Sequence, residues 1–81
     1  MINTVEVRLY ASLRRYYPDL KSGEPLSLTL DDNVNLENLL DKLKVPREEI
    51  TIVMVNGRRE QGSYLFQDGD RIGVFPLIGG G

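Results

Sequence analysis

Hydrophobic and polar residues alternate through residues 4–10 (TVEVRLY), with Val5, Val7 and Leu9 on one side and Glu6, Arg8 and Tyr10 on the other. Successive side chains of a strand point to opposite faces, so a period of two predicts a half-buried strand. A short helical stretch over residues 13–17 follows and stops at Pro18-Asp19. EPLSLTL then alternates again, placing Leu26, Leu28 and Leu30 together, and predicts a second strand paired with the first as a ribbon. After this the period changes. Leu36, Leu39, Leu40 and Leu43 stand at i, i+3, i+4 and i+7, the apolar stripe of an amphipathic helix. Asn35 suits the N-cap, Val34 the preceding hydrophobic staple, and Glu37 and Asp41 the early helix. Pro46 ends the helix, because the residue before a proline is pushed out of helical geometry.

ITIVMV, residues 50–55, predicts a third strand. It is apolar on both parities, so the pattern leaves its buried face open, as either Met54 or Val53 and Val55 could point outward. Asn56-Gly57 predicts a tight hairpin, since both central residues of that turn must accept positive φ, leading into a fourth strand over residues 58–61. A turn at Asp68-Gly69 opens a fifth strand, with Ile72 and Val74 inward and Arg71 and Phe75 outward. The order is β-β-α-β-β-β. One helix stripe against one mixed sheet gives an α+β, two-layer architecture, the β-grasp fold. The sequence is read as one domain over residues 1–78 followed by a glycine tail, residues 79–81.

Composition removes whole classes of chemistry. The 81 residues include no Cys, no His and no Trp. Without thiolate or imidazole no structural zinc site is expected, and no Ser-His or Cys-His nucleophile pair can be assembled. No metal is expected, and any reaction involving this chain is expected to draw its catalytic groups from partners. A net charge of −2 argues against a nucleic-acid partner held through phosphates. No apolar run approaches the roughly 18 residues that span a bilayer, and no signal-peptide pattern is present. A cytoplasmic protein with no membrane association is expected.

Three features invite a functional reading. Asp68-Gly69-Asp70 has too few ligands for calcium and reads as a turn. Asn56-Gly57-Arg58-Arg59 reads as a hairpin with a basic face, turned to solvent or to an acidic partner surface, and Arg14-Arg15 admits the same two readings, with solvent preferred. Tyr10, Phe75 and one parity of the third strand, with Met54, form a candidate apolar strip on the sheet face opposite the helix, where a one-helix fold leaves the sheet uncovered. The sequence then closes on PLIGGG, Pro76 to Gly81. Glycines have no Cβ, so such a tail is expected to be mobile unless gripped, and to fit a channel too narrow for side chains. Extended, residues 77–81 would reach about 17 Å. Ordering each residue would cost about 1–2 kcal/mol, so a docking surface elsewhere has to supply the affinity.

VRLYASLRRYYPD near the start, VNGR after the third strand and DGDRIGVFPLIGGG at the end resemble the small, sulfur-carrying subunit of molybdopterin synthase, within the wider group of ubiquitin-like sulfur carriers. The resemblance covers essentially the whole chain. It implies that an E1-like adenylating enzyme uses ATP to adenylate the Gly81 carboxylate, which becomes a thiocarboxylate, with Gly79 and Gly80 threading the partner's active site. No cofactor is held permanently. It also implies a heterotetramer with the large synthase subunit, in which sulfur passes to a cyclic pyranopterin precursor of the molybdenum or tungsten cofactor. Docking is then expected of Tyr10, Met54, Arg58, Phe75, Pro76, Leu77 and Ile78. Two features bear on the pathway. Gly79 stands where synthase small subunits often have another small residue, and a triple-glycine end also occurs among thiamine carriers; the long leading segment, residues 11–23, speaks for the synthase subunit. A thiamine-pathway or other sulfur carrier, a ubiquitin-like protein modifier, and a β-grasp interaction module with an inert tail stay open as alternatives.

Overall fold

The computed structural model describes residues 2–21 and 23–76. The five strands are β1 (Ile2–Leu9), β2 (Leu26–Asp31), β3 (Ile50–Val55), β4 (Arg58–Arg59) and β5 (Arg71–Pro76), with one α-helix, α1 (Leu36–Leu43), between β2 and β3. They form one sheet in the order β2-β1-β5-β3-β4. The two central strands, β1 and β5, run parallel, and every other pairing is antiparallel. The expected β-grasp arrangement is present, with the first two strands paired as a ribbon.

The leucine stripe makes the core. Leu36, Leu39, Leu40 and Leu43 are buried against Val5, Val7 and Leu9 of β1, Val53 and Val55 of β3, and Ile72 and Val74 of β5. The open parity of β3 is thereby settled: Val53 and Val55 face the helix, and Met54 lies on the other side. The helix start is fully provided with acceptors. Leu36 and Glu37 donate their backbone N–H groups to Tyr64 O at 2.8 Å and Gly62 O at 3.0 Å. Asn35 and Asn38 exchange side-chain and backbone bonds as a reciprocal capping box. These supply groups that helix geometry leaves unpaired. At the other end Tyr17 donates its hydroxyl to Leu43 O at 2.7 Å, and Lys44 takes the left-handed cap at φ 57°.

Boundaries differ from expectation in three places. β1 starts at Ile2 and stops at Leu9, because Ala11 turns the chain at φ 52° into a 3-10 helix over Ala11–Tyr16, where a short helical stretch over 13–17 was expected. β2 begins at Leu26, two residues after the expected start at Glu24. β4 is two residues rather than four. The Asn56-Gly57 hairpin has positive φ at both positions, 52° and 82°, as that turn requires. Among the described residues no helix is long and apolar enough to cross a membrane.

Candidate functional site

The sheet face away from α1 is built in rows across three strands. In register, Arg8 of β1 lies beside Gly73 of β5, and Gly73 beside Met54 of β3. One step on, Phe75 lies beside Ile52. Tyr10, just past the end of β1, donates its backbone N–H to Val74 O at 3.1 Å, which brings its ring to Phe75. The two rings stack with centroids 4.4 Å apart and planes 4° apart. Gly73 makes that possible. A Cβ there would sit 3.2 Å from both Phe75 Cε1 and Tyr10 Cε2, tighter than ordinary contact, so the rings use the space a side chain would fill.

Together Arg8, Tyr10, Met54, Gly57, Arg71 and Phe75 line a shallow depression of about 250 Å³ on this face. A second cavity of similar size adjoins it through Arg8 and Tyr10 and runs between the end of β1 and the β1–β2 connection. The expected strip of Tyr10, Met54 and Phe75 therefore comes together. Arg58 does not line it. It is paired in register with Val55, and the cations lining the depression are Arg8 and Arg71. Pro76 is buried, on the same parity as Ile72 and Val74, and so stands apart from the strip. Leu77, Ile78, Gly79, Gly80 and Gly81, expected to dock and to thread, lie outside the described residues.

Alternation had put Arg8 and Arg71 on the outward parity, but only the strand order brings them to one face: β5 pairs with β1, although more than 60 residues of sequence separate them. Gly73 gave a weaker signal, a lone glycine inside a strand pattern.

The Asp68-Gly69-Asp70 turn anchors β5 at the opposite end. Asp68 Oδ1 accepts from Thr4 N at 2.7 Å, and Gly69, at φ 88°, donates its N–H to Thr4 O at 2.8 Å. Asp70 is buried. Its carboxylate accepts from Asn56 Nδ2 at 2.8 Å, Tyr64 Oη at 2.8 Å and Gln67 N at 2.9 Å. Burial, together with the bond to Asp70, pushes the Tyr64 phenol up to about 12. This is an architectural cluster rather than a reactive one, since every Asp70 contact is a donor within the fold. Among the described residues no three His, Cys, Asp or Glu side chains gather as a metal site. The open face offers aromatic area, a thioether and two guanidinium groups, a chemistry suited to recognition.

Comparison with known proteins follows the same lines. A family model described as Mut7-C ubiquitin matches residues 2–79. No curated protein matches the sequence. Among solved structures, a Pyrococcus furiosus protein provisionally named molybdopterin converting factor, subunit 1, aligns with TM-score 0.72 at 23% identity, covering 94% of this chain and 99% of that one. Small archaeal modifier protein 1 of Haloferax volcanii aligns with TM-score 0.73 at 18% identity over 94% and 99% of the two chains. Urm1 of Trypanosoma brucei gives TM-score 0.66 at 20% identity over 99% and 97%. At these identities the likeness is one of fold.

Proposed function

The chain belongs to the Mut7-C ubiquitin family, and from that premise we propose that it is a ubiquitin-like sulfur carrier acting through the carboxylate of Gly81. The observation that carries this reading is where β5 ends. β5 is the central strand between β1 and β3, and its last residues stand beside the Tyr10–Phe75 stack. From there the sequence continues as Leu77, Ile78 and three glycines. The strand that carries Phe75 of the open face is thus the one from which the sequence runs on to the three glycines.

In this reading the Gly81 carboxylate attacks the α-phosphate of ATP on an E1-like adenylating enzyme, and pyrophosphate leaves. The acyl-adenylate has a good leaving group where the carboxylate had none. A sulfur nucleophile from a donor displaces AMP and gives the thiocarboxylate. The chain's own share is to present the tail and to dock through Tyr10, Met54 and Phe75 while Gly79 and Gly80 pass a channel that a Cβ would block. No side chain of this protein supplies an acid, a base or a metal ligand to these steps. The recipient is a cyclic pyranopterin precursor of the molybdenum or tungsten cofactor, handled by a large synthase subunit in a cytoplasmic heterotetramer. The fold shared with the Pyrococcus furiosus protein supports that pathway.

The same activated carboxylate could instead be passed to a lysine amine, and the fold shared with small archaeal modifier protein 1 favours this as the second reading. Pyrophosphate exchange into ATP, measured with an activating enzyme from the same source, tests the step common to both. Exchange is expected with the native chain and lost when one residue is added after Gly81. Equal exchange by the extended chain would rule out activation at that carboxylate.

A further inference from the structure

We propose that the cavity beside the β1–β2 connection and the open sheet face form one continuous binding strip for an acidic peptide segment of a partner protein, with a single aromatic or aliphatic side chain of that segment seated in the cavity. The strip is a recognition site in its own right and does not depend on sulfur transfer.

Continuity is given by Arg8 and Tyr10, which line both hollows. The cavity has an apolar floor of Leu9, Tyr17 and Leu20 with Arg14 and Lys21 at its edge. Its volume, about 250 Å³, suits one leucine or phenylalanine side chain. The charge is uneven. The whole chain carries 10 basic against 12 acidic side chains, yet Arg8, Arg14, Lys21 and Arg71 all line the strip and Glu24 is the one carboxylate that does. Glu24 is already committed, accepting from Lys21 N at 2.8 Å. Among the described residues Arg14, Lys21 and Arg71 have no acidic side-chain partner, and Arg8 has a loose one, Glu6 at 3.8 Å. By contrast Arg15 and Arg47, outside the strip, are each paired with carboxylates. Uncommitted cations around an apolar pocket are complementary to carboxylates flanking an apolar anchor.

The alternative polyanion, single-stranded nucleic acid, fits less well. Base stacking needs free aromatic faces, and here Tyr10 and Phe75 cover one face of each other while their edges lie over Gly73. Glu6 and Glu24, at the margins of the strip, would also oppose a run of phosphates.

The test is an NMR titration of the ¹⁵N-labelled full chain with the peptide acetyl-Asp-Glu-Phe-Glu-Asp-amide up to millimolar concentration. Shifts are expected at the amides of Tyr10, Ala11, Arg14, Leu20 and Gly73, with roughly tenfold weaker binding after joint Arg14→Glu and Lys21→Glu substitution, a loss of about 1.4 kcal/mol. Both side chains are exposed, so this variant is expected to fold. Replacing the peptide's phenylalanine by alanine tests the anchor on unaltered protein and is expected to weaken binding similarly. Absence of shifts, shifts confined to the helix side, or undiminished binding by the charge-reversed chain would overturn the proposal. So would tighter binding of a thymidine oligonucleotide to the same residues. No arm involves Gly81 or ATP, so failure here and failure of sulfur carriage are read separately.

Discussion

Asp70 holds three donors from two segments: the hairpin residue Asn56, and Tyr64 and the backbone of Gln67 in the β4–β5 loop. Replacing it with alanine strands these donors in a buried place, and unsatisfied buried groups cost more than the net worth of a bond. Asp70→Ala is expected to lower stability by about 3 kcal/mol in urea unfolding, with Asp68→Ala, on an exposed carboxylate with one backbone donor, costing less. Tyr64 reports on the same cluster through pH. Its phenol keeps its proton to about 12 in the folded chain against an ordinary 10.0, because burial and Asp70 disfavour the phenolate. Between these values the unfolded chain has released the proton and the folded chain has not, so stability falls as pH rises through the window and is fully present below it. Tyr16 and Tyr17 shift in the same direction, the first through its bond to Glu49 and the second through burial. The Tyr64 contribution is therefore the part of the slope that Tyr64→Phe removes, measured by urea unfolding at a series of alkaline pH values. At this scale sequence reasoning went only part of the way. It read Asp68-Gly69-Asp70 as a turn, which the positive φ of Gly69 supports, but nothing in the local spelling separates the buried second aspartate from the exposed first. Their difference comes from Asn56, brought in by the β3–β4 hairpin, and from Tyr64, which the β4–β5 loop folds back onto Asp70.

Elements were legible in proportion to how sharply their periods were marked. The i, i+3, i+4, i+7 leucines of α1 and the Asn35 cap survive unchanged, since local pattern and burial demand the same thing there. β3 could not be oriented because Ile52, Val53, Met54 and Val55 are all apolar, and only its pairing with β5 decides which side meets the helix. β4 is short because, after Arg58 and Arg59 pair with Val55 and Met54, the chain leaves the edge of β3 past Glu60, whose N–H still reaches Val53 O at 3.3 Å. Gly73 shows what element pairing adds to a single residue. A valine there has β propensity in its favour but would press its branches into the Tyr10 and Phe75 rings. Gly73→Val is expected to cost about 2 kcal/mol through overpacking and to change the tyrosine signal in near-ultraviolet circular dichroism as the stack opens. A stabilised chain with an unaltered spectrum would show that the stack does not use that space.

Across the molecule, function is divided by position. One sheet face packs the helix, the other carries the stack and the uncommitted cations, and β5 runs between them to end at Pro76. The absence of Cys and His fits a carrier whose reactive atom would belong to the main chain. The fold and the pairing of Tyr10 with Phe75 on one open face could be approached from sequence because both rest on alternation. Which cations join the face could not, because it depends on β1 and β5 becoming neighbours. The central claim is chemical, and intact mass tests it most directly. The chain is incubated with ATP, an activating enzyme from the same source and a sulfur donor, then weighed. A gain equal to one oxygen-for-sulfur exchange, located at Gly81 and missing from a chain that lacks that residue, is the predicted result. An unchanged mass, with an enzyme shown to activate another carrier, would contradict sulfur carriage and return the chain to the reading of a β-grasp interaction module with an inert tail.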